Sequence, residues 1–292
     1  MHQKNYIGRF APSPTGNLHL GSLMTAIASY CDAMHHGGQW IVRIEDLDPP
    51  REVSGASQNI IKRLNDYGFI FNQDIIYQSQ AHRQKTYQKT LETLINSHAT
   101  YYCPCSRAEL KKTTIDDHQC RTTKQVPNQA HSIKIAVPDL TIKFIDRIQK
   151  IYTKNLYREC GDFIIKRRDK LFAYQIAVVV DDHYQNISHI VRGIDLIDST
   201  PWQIFLNSLL GFKQPSYAHI PILVNAEGQK LSKQTYAKEI SDTNIIETLS
   251  VAYGYLNQTP FTNKPKSISD FWNHAISNWN INKVSNIESI AV

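Results

Sequence analysis

The eleven residues Ala11-Pro12-Ser13-Pro14-Thr15-Gly16-Asn17-Leu18-His19-Leu20-Gly21 constrain the fold more than any other stretch of the chain. They follow the short apolar run Tyr6 to Phe10 and lead into an apolar-periodic stretch from Leu23 to Met34. An apolar run, a turn punctuated by Pro and Gly, and a helical period in that order predict a strand, a stiff turn and a helix whose opening turn carries His19 and Gly21. Such a helix start offers unpaired N–H groups and positive dipole to an anion, and Gly21 lets a phosphate approach the backbone closely. His19 can add a hydrogen bond. Far downstream, Lys230-Leu231-Ser232-Lys233-Gln234 sets two lysines on a polar loop after the apolar run Ile220 to Val224. Taken singly, the first element reads as a stiff loop and the second as a solvated basic turn. Together they point to an enzyme that handles a nucleotide.

A chain of 292 residues can bury a sizeable core and hold one large domain with an inserted module. No run of about 18 apolar residues occurs, and the start Met-His-Gln-Lys-Asn lacks an apolar signal core, so a cytoplasmic protein without a membrane span is expected. Five cysteines, an odd number with three of them clustered, do not form a disulfide framework. The net charge of +6 permits a polyanionic partner without requiring one. Lys166-Arg167-Arg168-Asp169-Lys170, and Arg107 with Lys111 and Lys112, are candidates for phosphate contact, each also readable as a solvated face.

The pattern predicts strands at 5–10 and 39–45 joined by a helix near 19–36, a βαβ unit. Helices follow at 56–67 and 80–97. The expected fold is α/β, Rossmann-like, with residues 1–97 and 161–239 as two halves of a catalytic domain, 98–160 as an inserted module, β-rich from Ser132 to Ile151, and 240–292 as a short helical tail. The parallel sheet is expected to resume at Phe163 to Ile165 and Phe172 to Val180. A helix near 199–210 and a strand at 219–224 should complete the domain.

The two phosphate elements, in this order, resemble the HIGH and KMSKS signatures of class I aminoacyl-tRNA synthetases. Gly8-Arg9-Phe10-Ala11-Pro12-Ser13-Pro14-Thr15-Gly16 and Arg43-Ile44-Glu45-Asp46-Leu47-Asp48 narrow the resemblance to the glutamyl branch. It runs from about Tyr6 to about Gln234. It implies activation of L-glutamate by ATP with Mg²⁺, a reaction in which the protein aligns the attack and stabilises charge on the phosphate oxygens. Pro12, Gly16, His19, Gly21, Ser22 and Lys233 would form the ATP side, with His19, Lys230 and Lys233 acting on the phosphates. Arg9 suits the side-chain carboxylate of glutamate, because an arginine fork binds a carboxylate through two bonds. Glu45, at a strand end, suits the ammonium. By resemblance Ala11, Ser13, Tyr174 and Arg192 complete the glutamate pocket. Read from the residues alone, Arg43–Glu45 and Arg192–Asp195 are plain ion pairs and Tyr174 is core. Two departures stand out: Ser22 replaces the second His of the first motif, and Gln234 replaces the last Ser of the second.

Cys103-Pro104-Cys105 with Cys120 resembles the family's zinc site. Three thiolates suit tetrahedral Zn²⁺, which takes a fourth ligand. Asp116 stands where the family has a tyrosine, and His118 is the better zinc donor. The choice between them stays open, as does a set of three thiols without metal. Cys31 and Cys160 read as ordinary helix and core residues.

Only about sixty residues follow the lysine loop, too few for the anticodon-binding domain of full-length relatives. That resemblance implies glutamate activation without tRNA and transfer to the queuosine base in the anticodon stem-loop of tRNA(Asp). No membrane and no obligate protein partner are expected. A short synthetase charging the 3′ end of tRNA(Glu) is the alternative, and an inactive RNA-binding paralogue is the reading from another class.

Overall fold

The computed structural model describes residues 6–71, 74–110, 119–123, 125–231, 239–240 and 242–292. The chain opens with β1 (Ile7–Phe10), α1 (Leu20–His35) and β2 (Gln39–Ile44), with β1 and β2 parallel in the register Arg9 to Ile41. This is the right order for a βαβ unit: an apolar helix lies between two strands that read as apolar runs. α2 (Ala56–Asp66) and β3 (Ile76–Tyr77) follow, and β3 extends the sheet parallel to β2. α3 (Ala81–Asn96) leads to β4 (Thr100–Cys103), the short α4 (Arg107–Leu110), β5 (Ser132–Ile135), and the hairpin of β6 (Thr141–Asp146) and β7 (Lys150–Asn155). β8 (Phe163–Lys166), α5 (Tyr174–Tyr184), β9 (His189–Gly193), α6 (Thr200–Leu210), β10 (Ser216–Ile220) and β11 (Ile222–Val224) complete the central part. α7 (Ile245–Tyr255), α8 (Ile268–Ser277) and β12 (Ser289–Ala291) close the fold.

The strands form β1-β2-β3, all parallel, and β7-β6-β10-β9, in which β6, β10 and β9 are parallel. Ser188, just before β9, joins the two by donating its N–H to the Ile7 carbonyl at 3.0 Å and accepting the Ile7 N–H on Oγ at 2.8 Å. A separate antiparallel sheet has the order β4-β5-β8. The largest apolar core packs α1, α7 and α8 on β1 and β2, with Leu23, Ile27, Leu249 and Phe271 fully buried. A second core lies under α3, α5 and α6 against the antiparallel sheet.

Three sequence expectations need correction. Phe172 to Val180, expected as a strand, opens into the helix α5. Residues Ile176 to Asp182 of this helix are all buried, so no polar face interrupts the apolar run, and periodicity alone cannot distinguish such a helix from a buried strand. β8 belongs to the antiparallel sheet rather than to the parallel one. The strand expected at 219–224 is two strands divided at Pro221, which has no N–H to give to a ladder. Among the described residues no helix is long and apolar enough to cross a membrane.

Candidate active site

A cleft of about 800 Å³ opens at the carboxyl ends of β1, β2 and β9, where open α/β sheets bind ligands. Arg9, Ala11, Pro12, Ser13, His19, Gly21, Ser22, Glu45, Tyr174, Arg192 and Lys230 all line it. Of the residues expected for ATP and glutamate in the described part of the chain, only Gly16 does not. Lys233, Ser232 and Gln234 lie outside the described residues.

The turn after β1 is fixed by backbone bonds. Glu45 N–H donates to the Pro12 carbonyl at 3.0 Å, and Val53 N–H donates to Pro14 at 3.0 Å. His19 caps α1: its ring Nδ1 accepts the Ser22 N–H at 3.3 Å, and Nε2 lies 3.0 Å from the Ser22 hydroxyl. Ser22 therefore holds the imidazole at the helix start. A Cβ on Gly21 would come within 3.3 Å of the His19 ring, so the glycine keeps this corner open. On the opposite wall Lys230 Nζ meets Asp195 Oδ2 at 2.5 Å. Gly193 lets that aspartate fold back, since a Cβ there would stand 2.4 Å from Asp195 Oδ1.

Charge is concentrated at the deep end. Arg9, 4% exposed, donates from Nε to Asp182 Oδ1 at 3.3 Å. Arg43, fully buried, donates to the same oxygen at 2.8 Å, to Glu45 at 3.4 Å and to Gln185 at 2.6 Å. Although burial works to raise it, Arg9 and Arg43 hold Asp182 below the usual carboxylate range. Burial pushes Glu45 up to about 7, against the pull of Arg43 and Arg9. The neighbouring Asp181 accepts from Gln78 and Tyr87, each at 2.7 Å, and pairs with Arg83.

Arg192, 3% exposed, differs from these in its partners. It donates to His219 Nε2 at 3.0 Å, Tyr174 Oη at 3.3 Å, Thr200 Oγ1 at 2.8 Å and the Leu196 carbonyl at 3.3 Å. Each of those acceptors is neutral when His219 carries its proton on Nδ1, and no described carboxylate forms an ion pair with Arg192. A desolvated guanidinium surrounded by neutral acceptors is suited to receive an anion. The expected Arg192–Asp195 pair does not form: Asp195 is the partner of Lys230. The expected Arg43–Glu45 contact does form, as one edge of a larger network.

The sequence reading missed Asp182, Asp146, His219 and Thr200. Asp181-Asp182 is the one visible cue, because two carboxylates inside an apolar run must find buried cations.

Sγ atoms of Cys103, Cys105 and Cys120 lie within 4.8 Å of one another, and those of Cys105 and Cys120 are 3.6 Å apart. Zn–S bonds of about 2.3 Å in a tetrahedron separate sulfurs by about 3.8 Å, so the three thiols fit such an ion. Burial raises Cys103, and burial with the neighbouring thiols pushes Cys120 up to about 12, a strain that a cation would relieve by taking up thiolate charge. Asp116 and His118 lie outside the described residues. Of the basic cluster, Arg167 is paired with Asp48 at 3.0 Å and Asp169 at 2.6 Å. Lys111 and Lys112 lie outside the described residues.

A parallel sheet with an anion-ready helix start and Lys230 facing it across the strand ends points to a class I synthetase catalytic domain. Residues 7–247 match the family model of the tRNA synthetases class I (E and Q), catalytic domain, and the chain belongs to that family. Within it the chain is similar to glutamyl-Q tRNA(Asp) synthetase of Neisseria meningitidis serogroup C, with 43% identity over 96% of this chain and 97% of the relative. It is also 46% identical to the glutamyl-Q tRNA(Asp) synthetase of Pseudomonas aeruginosa over 88% of this chain and 87% of the relative. A crystal structure of a glutamate tRNA ligase from Elizabethkingia meningosepticum in complex with its amino acid shares the fold. The TM-score is 0.78 at 23% identity, over 98% of this chain and 66% of that one.

Proposed function

We propose that this enzyme activates L-glutamate with ATP and transfers the glutamyl group to the queuosine base in the anticodon loop of tRNA(Asp). What carries the reading is the single cleft in which two buried arginines, Glu45 and the start of α1 converge, in a chain 43–46% identical to proteins of that name.

Arg9 takes the side-chain carboxylate of glutamate, with Arg192 and the Tyr174 hydroxyl completing that end of the pocket. Glu45 takes the ammonium, and Ala11 and Ser13 border the substrate. Pro12, His19, Gly21 and Ser22 receive ATP, with its Mg²⁺, at the helix start. An oxygen of the α-carboxylate attacks the α-phosphorus, the bond to the bridging oxygen breaks, and pyrophosphate leaves. Lys230 and Lys233 offset the negative charge that builds on the phosphates. A hydroxyl of the queuosine cyclopentene ring then attacks the adenylate carbonyl carbon, loses its proton, and AMP departs with the bonding pair. Cys103, Cys105 and Cys120 would hold a structural Zn²⁺ that cross-links the loop between β4 and β5.

The test is transfer of labelled glutamate to three RNAs: queuosine-containing tRNA(Asp), queuosine-free tRNA(Asp) and tRNA(Glu). Label on the first alone is the expected result. Label on tRNA(Glu), lost when its 3′ adenosine is removed, would make the enzyme a short glutamyl-tRNA synthetase. Absence of both transfer and pyrophosphate exchange would leave an RNA-binding protein.

A further inference from the structure

Three adjacent parallel strands each send one side chain into a single buried row. Asp146 ends β6, His219 lies on β10, and Arg192 lies on β9 in direct register with His219. Asp146 and His219 are fully buried, and Arg192 is 3% exposed. His219 Nδ1 donates to Asp146 Oδ2 at 2.6 Å, and its Nε2 accepts from Arg192 Nε at 3.0 Å. The aspartate is itself fixed, since its Oδ1 accepts backbone N–H groups of Ile148 and Gln149 at 2.9 Å and of His219 at 3.1 Å. These contacts demand one tautomer: proton on Nδ1, lone pair on Nε2. Burial lowers the imidazole to about 4, which keeps that lone pair free at neutral pH. Tyr217, two residues earlier on β10, lies under the guanidinium at 5.5 Å. Thr200 Oγ1 accepts from Arg192 Nη2 at 2.8 Å on the far side.

We propose that Asp146 and His219 are positioning residues that set the plane of the Arg192 guanidinium, and through Nη1 the Tyr174 hydroxyl, for the carboxylate of the amino-acid substrate. The proposal rests on the glutamate-pocket reading above. Its logic is that a guanidinium binds a carboxylate through two bonds only when its plane is fixed. A carboxylate partner would fix the plane and at the same time consume the charge. A neutral imidazole fixes the plane and leaves the full positive charge for the ligand. Asp146 supplies the constraint on the tautomer from one strand further away.

The experiment compares His219→Leu, which cannot accept from Arg192, with His219→Gln, whose amide oxygen can, using pyrophosphate exchange in the full chain. For His219→Leu the KM for glutamate should rise about ten- to a hundredfold, the range for one lost hydrogen bond to a charged group. The KM for ATP and the kcat at saturating glutamate should stay within about twofold, and His219→Gln should recover most of the loss. If His219→Leu fails to fold, the double variant His219→Leu/Asp146→Asn removes the stranded carboxylate and should show the same glutamate-specific rise. A folded variant with unchanged glutamate KM would overturn the proposal, as would parallel losses for glutamate and ATP. A wild-type enzyme that gives no exchange with glutamate would instead overturn the pocket reading.

Discussion

Glu45 sits beside Arg43 with a side chain 8% exposed, and its proton leaves only near pH 7 because burial outweighs the nearby arginines. Two opposite pH dependences follow. The folded state holds that proton more tightly than the unfolded chain, so the stability this group lends is complete below the ordinary carboxylate value of 4.5 and is lost as pH rises through about 7. In the proposed pocket, substrate binding runs the other way, because only the ionised carboxylate pairs with an ammonium. The glutamate KM should therefore fall as pH rises between about 6 and 8, and Glu45→Gln should flatten that profile while raising KM throughout. Exchange assays across that range check both. Arg9 and Glu45 were legible in the sequence because each stands in a recognisable word at a strand end. His219 and Asp182 were not, since their importance comes from strand register and from a helix packed across the sheet, neither of which local spacing reveals.

At the scale of elements, Cys105 and Cys120, both between β4 and β5, bring their Sγ atoms within 4.8 Å of that of Cys103 on β4. Tyr101 and Arg121 anchor the same region on Asp162, at 2.7 Å and 2.9 Å. Purified protein should carry about one zinc per chain. Cys105→Ser should lose it and make the loop sensitive to protease, while pyrophosphate exchange falls far less than RNA transfer. Metal analysis with limited proteolysis checks this, and metal-free protein with a protected loop would remove the zinc. Most helices were legible from their apolar period and polar faces. α5 was not: with Ile176 to Asp182 buried on every side, it lacks the polar stripe that marks a helix, and its β-branched Val178-Val179-Val180 favours the wrong element.

Across the whole molecule, the cleft lies where the core around α1 meets the core around α5 and α6, with Arg9 and Arg43 on one side and Asp181 and Asp182 on the other. A ligand that fills it bridges both bodies of packing. By mass action, a non-hydrolysable glutamyl-adenylate analogue at a hundred times its Kd should stabilise the fold by about 2.7 kcal/mol, read as a rise in the urea midpoint with unchanged m-value. A midpoint that stays put at every analogue concentration would mean that the folded chain does not bind it.

The parallel pairing of β12 with β11, Leu223 opposite Ile290, has a consequence for biosynthesis. β11 runs directly into the segment that carries Lys230, so the root of that segment gains its neighbour from residues translated 67 positions later, Ile290 opposite Leu223. The residues proposed for the glutamate end of the cleft all precede position 220, and α7 and α8, which pack beneath their strands, also come before β12. The segment that carries Lys230 is therefore the last part of the cleft to gain its neighbour during synthesis, so a complete cleft waits for the closing strand.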